Sequence, residues 1–398
     1  MNKKKHIVFL IDGMADEPLP ELDGLTPLMK AHTPNLDKLA QHSIMGELLT
    51  LPEPYPTSSD VANLSVLGFD LSVYTGRGPI EASGLGIKLA DDEIALRCNI
   101  IHEKNGILHD YSAGHIDNQK AGEMIKILKK NLENPEIKFH AGTSYRHLLI
   151  LKGSRFSDKI GYAKPDSSHG KICREIYPCA LKKEAETAAN LLIELINASK
   201  KILAPFNTDD LEYSIWPWSP GKKPLFPSFK NMYNKKAAVI TAVDVIKGIA
   251  RLSGMTICEV SGANGFTDTN FTGKAEAALK MLESHDFVFC HLECVDEVSH
   301  MGNLPEKIRA IELFDEKLLG HFLHEAGYPE KSDNLVIACL PDHPVPVHLR
   351  AHTRTPVPFL ISGPFFPVNS SKYNEISVKT GSCGLLKKNE FMKKLFSC

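Results

Sequence analysis

The chain has 398 residues, 43% of them hydrophobic and 24% charged, with a formal net charge of −2. That is ordinary globular composition with length for two domains, and its charge argues against nucleic acid or an anionic membrane as partner. No segment approaches membrane-spanning length, and the basic start followed by the short run Ile7–Ile11 is too brief for a signal peptide. Nine cysteines, an odd number with no C-x-x-C pair, point to a reducing compartment and so to the cytoplasm.

Residues 7–11 read as a buried strand ending at Asp12-Gly13. An acid there lies where open α/β sheets place their ligands, although Asp-Gly is also a common turn. Thr33-Pro34 opens a helix, with the threonine as cap and the proline in the first position. Residues 44–51 read as the next strand. The stretch Pro56-Thr-Ser-Ser-Asp-Val-Ala-Asn-Leu-Ser-Val-Leu-Gly68 follows, a loop feeding a helix capped by a serine or aspartate and stopped by glycine. Backbone N–H groups at such a helix start favour a phosphate or an ionised oxygen on Ser58 or Ser59, but either serine also serves as a plain cap.

From about residue 91 the texture changes. Short strands (94–100, 107–112, 137–140, 146–151) alternate with helices (118–132, 181–199), which reads as an α+β unit with hairpins. The Pro- and Trp-rich stretch 216–227 reads as a boundary or hinge. Strict alternation then returns, with strands at 237–241, 287–292, 335–340 and 357–361 and helices at 243–252, 272–284 and 306–322; residues 385–396 have a helical period. The expected architecture is an α/β doubly wound, mostly parallel sheet. Its domain is discontinuous, 1–90 and 235–398, with a smaller α+β domain, 91–234, inserted.

Metal-type ligands follow these strands. Glu293-Cys-Val-Asp296-Glu-Val-Ser-His300 comes after one and Asp342-His343 after another, with His352 a few residues on. Asp296 and His300, four apart, share a face if that turn is helical. Singly, each has a bland reading as a surface pair, a turn or a satisfied histidine. Jointly, Asp12, Asp296 and Asp342 all follow apolar parallel strands, whose carboxyl ends converge. Carboxylates and imidazoles crowded there would be costly to bury without metal. Mixed oxygen and nitrogen ligands suit Mn²⁺ or Zn²⁺ better than Ca²⁺, and their number suggests two ions.

These residues carry a resemblance. The chain resembles the archaeal-type, cofactor-independent phosphoglycerate mutases of the alkaline phosphatase superfamily over nearly its whole length. The matching motifs include Asp12-Gly-Met, Thr33-Pro-Asn-Leu-Asp, Ser59-Asp-Val-Ala-Asn-Leu-Ser, Gly76-Arg-Gly-Pro-Ile-Glu-Ala, Arg97-Cys-Asn, Tyr145-Arg-His, Thr272-Gly-Lys-Ala, Asp296-Glu-Val-Ser-His and Asp342-His. The resemblance implies an alkaline-phosphatase-like sheet with a lid domain and Ser59 as the phosphorylated nucleophile. It implies two divalent ions, Mn²⁺ first and Zn²⁺ or Mg²⁺ as alternatives, and no 2,3-bisphosphoglycerate. One ion would be held by Asp296, His300 and His352, the other by Asp12, Ser59, Asp342 and His343. The implied reaction interconverts 3-phosphoglycerate and 2-phosphoglycerate through a phosphoserine, in glycolysis. Lys274 would neutralise the transferring group, and Arg97, Arg146, His169 and Lys222 would bind the small phosphorylated substrate.

The chain also departs from the family pattern. Tyr111-Ser-Ala-Gly-His115 stands where an arginine-rich run is common, Trp218-Ser-Pro-Gly-Lys222 replaces an Arg-Gly-x-Gly element, and His169 lies in Pro165-Asp-Ser-Ser-His169 rather than Asp-x-Asp-Pro-His. Pro344-Val345 follows Asp342-His343 in place of Ser-Thr. Fewer lid arginines keep one alternative in view, a phosphotransferase making O-phosphohomoserine from homoserine; a plain metal-dependent phosphatase, with the same metals but no need of a water-excluding lid, is a second.

Overall fold

The apolar runs Lys5–Ile11, Phe287–Leu292 and Leu335–Leu340 lie side by side and parallel in the computed structural model, which describes residues 4–208, 210–330, 332–367 and 372–398. They form the centre of an eight-stranded sheet. Both latter strands are buried throughout, as expected where a parallel sheet is covered on two faces. Ala237–Ile240 and Thr256–Cys258 continue the sheet in parallel on one side. On the other come Val357–Ser362, the one reversed strand, then Ser43–Leu49 and Gly384–Lys387. Ile11 lies opposite Leu292 and Leu10 opposite Leu340, so the chain leaves all three central strands at one edge.

Helices Pro34–Gln41 and Phe271–Ser284, with the helical stretch 304–326, bury apolar faces against this sheet. Phe9 meets Phe322 edge-on at 5.0 Å and Phe314 at 6.3 Å. Burying each such ring contributes about 1.5–3 kcal/mol, so the strand that delivers Asp12 is held firmly.

The chain divides into two compact units, residues 1–73 with 226–398, and residues 74–225. Both boundaries fall N-terminal to the expected 90 and 235. The helix Arg77–Gly84, read with the first domain, packs on strands Glu93–Lys104 and Glu212–Lys222 of the inserted unit. The Pro- and Trp-rich stretch 216–227 is strand as far as Lys222, and the boundary between the two units falls within it, between Leu225 and Phe226. Glu212–Lys222 pairs antiparallel with Glu93–Lys104 alone, and an edge strand tolerates Pro217 and Pro220. A bulge opposite Ala95–Arg97 absorbs the extra residues. The supposed terminal helix also divides: Gly384–Lys387 is an edge strand beside Ser43–Leu49, and only Glu390–Ser397 is helical.

The inserted unit is a five-stranded antiparallel sheet whose helices Asn118–Leu132 and Glu186–Leu203 cover one face. Ile94, Leu96, Cys98 and Ile100 point into that core. By alternation Ala95, Arg97 and Asn99 point to the other face.

Candidate active site

The three central strands of the first unit each release a carboxylate at their shared edge. Asp12 follows Ile11 at once and is 1% exposed. Its neighbour Gly13 has φ +67°, and a Cβ there would come within 2.8 Å of the Asp296 Cα. The turn thus needs glycine for conformation and for space. Gly13 N–H donates to Asp342 Oδ1 at 3.3 Å, linking two of the strand ends. Asp296 and His300 lie on the short helix Cys294–His300 and do share a face, His300 Nε2 standing 3.5 Å from Asp296 Oδ2.

The imidazoles complete the cluster. His343 Nε2 lies 3.4 Å from Asp12 Oδ1 and 3.3 Å from Asp342 Oδ2. His352 Nε2 lies 3.6 Å from Asp296 Oδ1 and 2.9 Å from His300 Nε2. The His343 and His352 rings stack at 3.7 Å. Two ligand sets therefore share His343, Asp12–Asp342–His343 and Asp296–His343–His352 with His300 beside the second, and a third group, Asp12–His291–Glu293, shares Asp12.

This donor set fits divalent metal. Burial and then the neighbouring carboxylates Asp342, Asp296 and Glu293 push Asp12 well above the usual carboxylate range. Asp342 is likewise pushed up, chiefly by burial and by Asp296. Asp12 Oδ1 is buried without a hydrogen-bond donor among the described residues. Such a site is strained as a set of protein groups alone, and a cation relieves it.

Ser59 reaches this cluster from a helix start. Ser58 takes the cap position with extended backbone, and its hydroxyl donates to Asp60. Ser59 becomes the first helical residue, 9% exposed, with Oγ 3.1 Å from His343 Nε2. Of the two serines left open, Ser59 is the one whose hydroxyl lies beside the imidazole.

Two site residues escaped the reading of the sequence. Asn63, one turn after Ser59, donates Nδ2 to Ser59 O at 2.8 Å and to Asp342 Oδ2 at 2.9 Å. His291, fully buried in Phe287–Leu292, has Nε2 3.1 Å from Asp12 Oδ2. Its signal was a polar residue in an otherwise apolar strand. Lys274, 1% exposed, donates Nζ to the His291 carbonyl at 2.7 Å. It meets the cluster through a strand backbone, not by the direct approach expected of it.

In the inserted unit, Arg97 and Arg77 both bind Glu81 Oε1, the latter at 2.7 Å. Burial opposes the charge on Glu81, but the two guanidinium groups outweigh it and hold the carboxyl below its usual range. Arg97 also donates to Asn99 Oδ1 at 3.3 Å, which receives Trp218 Nε1 at 3.0 Å. The Arg97 guanidinium lies 5.3 Å from the Trp218 ring. Arg146 sits opposite Asn99 in register, on the same face, with its guanidinium 5.4 Å from the Tyr145 ring. Arg97 and Arg146 are thus brought together. The other two expected cations are placed elsewhere: His169 is exposed and faces His109 at 6.0 Å, while Lys222, also exposed, lies opposite Ile94, on the other face of the sheet.

Carboxylates, imidazoles and a hydroxyl gathered at the strand ends of a largely parallel α/β sheet define an enzyme of the divalent-metal-dependent class. Residues 40–207 match the family described as 2,3-bisphosphoglycerate-independent phosphoglycerate mutase. Over 397 residues the chain is 38% identical to the protein of that name from Methanosarcina barkeri, covering 98% of each. Among solved structures, the PH0037 protein from Pyrococcus horikoshii is similar with a TM-score of 0.81 and 26% identity, over 100% of this chain and 97% of that one. The cofactor-independent phosphoglycerate mutase from Thermoplasma acidophilum is similar with a TM-score of 0.62 and 26% identity, over 99% of both chains. The chain belongs to the 2,3-bisphosphoglycerate-independent phosphoglycerate mutase family.

Proposed function

We propose that this protein interconverts 3-phosphoglycerate and 2-phosphoglycerate without 2,3-bisphosphoglycerate, through a phosphoserine on Ser59. The observation that carries the reading is Ser59 Oγ at 3.1 Å from His343 Nε2, where the two ligand sets adjoin. Family membership over nearly the full chain supports the substrate.

In this reading Asp296, His300 and His352 hold one divalent ion, and Asp12, Asp342, His343 and Ser59 the other, with Mn²⁺ favoured by the mixed donors. Bound there, the ions would lower the pKa of the serine hydroxyl and neutralise charge on the phosphoryl oxygens. Ser59 Oγ displaces the substrate 3-oxygen at phosphorus: the Oγ–P bond forms, the C3-O–P bond breaks, and the released 3-hydroxyl takes up the proton that Ser59 gives up. The 2-hydroxyl of the retained glycerate then attacks the phosphoserine, and Ser59 recovers a proton, so the cycle balances without a cofactor. Asn63 orients both the Ser59 carbonyl and Asp342.

The inserted unit supplies the cations for the anionic substrate in this reading. Arg97 and Arg146 share a face, and a guanidinium suits carboxylate and phosphate because it can bind two oxygens at once. Water would hydrolyse the phosphoserine, and sequestering it is the role we assign to the inserted unit as a lid. The nine cysteines, all free, support a cytoplasmic step of glycolysis. Among the described residues no helix is long and apolar enough to cross a membrane. No observation favours homoserine or plain phosphate-ester hydrolysis.

The test offers Mn²⁺-loaded protein 3-phosphoglycerate, without bisphosphoglycerate, and follows 2-phosphoglycerate through a coupled enolase. A parallel arm offers homoserine with phosphate donors. Mutase turnover upholds the reading; homoserine phosphorylation alone would replace it.

A further inference from the structure

We infer that His291 is a positioning residue for Asp12, holding the carboxylate so that one oxygen is fixed by a hydrogen bond and the other is left for a metal ion. The inference rests on the proposed role of Asp12 as a ligand.

The argument is one of hydrogen-bond direction. His291 Nε2 lies 3.1 Å from Asp12 Oδ2, with both side chains 1% exposed. With a cation bound Asp12 is ionised, and an ionised carboxylate can only accept, so Nε2 must then carry a proton. The other ring nitrogen, Nδ1, lies 3.4 Å from Thr241 Oγ1. That oxygen already accepts Val243 N–H at 3.1 Å, and its own hydrogen is free to point at Nδ1. A directed chain results: Val243 N–H to Thr241 Oγ, Thr241 O–H to His291 Nδ1, His291 Nε2–H to Asp12 Oδ2. The strand register sets Leu10 beside His291, and Lys274 pins the His291 carbonyl at 2.7 Å, so the ring has a fixed base.

The consequence falls on Asp12. Its Oδ2 is occupied, while Oδ1 has no donor among the described residues and stands 3.4 Å from His343 Nε2. His291 thereby makes Asp12 a one-oxygen ligand of set direction. Partners of this kind behind a ligating group typically change metal affinity 10–100-fold when removed.

The experiment uses the full chain and Mn²⁺ alone as probe, with affinity read by calorimetry. His291→Leu should weaken Mn²⁺ binding about 10–100-fold. His291→Gln, whose side-chain N–H can replace the lost donor, should recover most of it. In protein loaded with diamagnetic Zn²⁺ and labelled with [¹⁵N]histidine, the signal lost in the His291→Gln variant should report a ring protonated at Nε2. Thr241→Val should allow that proton to redistribute, a change that loss of packing alone would not cause. Wild-type Mn²⁺ affinity in a folded His291→Leu variant overturns the inference, as does an Nδ1-protonated ring in the wild type. Should His291→Leu not fold, Thr241→Val and the ring signal decide. Asp12→Asn separates the two levels. If it retains wild-type Mn²⁺ affinity, the ligand assignment itself fails; if it loses Mn²⁺ while His291→Leu does not, only the role of His291 fails.

Discussion

Ser59 Oγ lies 3.1 Å from His343 Nε2, although 284 residues separate them in the chain. The contact joins a helix start to the loop after a central strand, so the proposed nucleophile depends on tertiary structure for its environment. Replacing Ser59 with alanine should lower turnover by more than about a thousand-fold, since removal of a nucleophile leaves only binding and electrostatics. Mass spectrometry of protein quenched with substrate should find phosphate on Ser59 in the wild type and none in the variant. Metal content should persist, because Asp12, Asp342 and His343 still converge. Normal turnover by Ser59→Ala would remove the nucleophile from the scheme.

Gly13 is the tightest point of the site. Alanine there meets backbone at 2.8 Å from Asp296 Cα in a left-handed conformation, so Asp12 and Asp296 cannot both keep their places. Gly13→Ala should destabilise the fold by about 1–3 kcal/mol and release metal on dialysis. Thermal melts with and without Mn²⁺ check this. The variant's melting point should no longer rise with Mn²⁺, whereas the wild type's should, by mass action. An undiminished rise would mean that the turn is not needed for binding.

Glu81 bonds both Arg97 and Arg77, and all three are largely buried. Glu81→Gln keeps the shape but removes the carboxylate charge that both guanidinium groups bind. The expected cost is about 3–5 kcal/mol, typical of a broken buried pair. Chemical denaturation followed by tryptophan fluorescence suits the test, because Trp218 lies against both arginines. Removing Arg97 in addition should recover part of the loss. A neutral Glu81→Gln change would show that solvent already screens the pair.

How much of this was legible follows from what each element needs. Phe287–Leu292 and Leu335–Leu340 could be read to the residue because a strand covered on both faces is a continuous apolar run. Asp12, Asp296 and Asp342 were visible because they follow such runs. The boundary in 216–227 was legible, but the strand Glu212–Lys222 that runs into it was not, because proline argues against a strand only where both edges are paired, and pairing is not a local property. Arg77–Gly84 was assigned to the wrong unit for a similar reason: its partners, Glu93–Lys104 and Glu212–Lys222, are chosen by packing. His291 and Asn63 were hidden because their partners, Asp12 and Asp342, lie 279 residues away.

His6 offers a pH test away from the ligand cluster. It is fully buried in the first strand, edge-on to Phe396 at 5.0 Å. Burial, and then the charge of Lys235, push its pKa down from the ordinary 6.5 to about 4. Between those values the unfolded chain takes up a proton that the folded one refuses. Stability is therefore full above pH 6.5, declines as the pH falls through this window, and levels off for this group below about 4. The shift corresponds to about 3–4 kcal/mol. His6→Leu should remove that share of the acid sensitivity. Urea unfolding of the metal-free proteins at pH 7 and at pH 4.5 makes the comparison, with the wild type losing more stability than the variant. Equal losses in both would mean that His6 is protonated in the fold or that its ring reaches water.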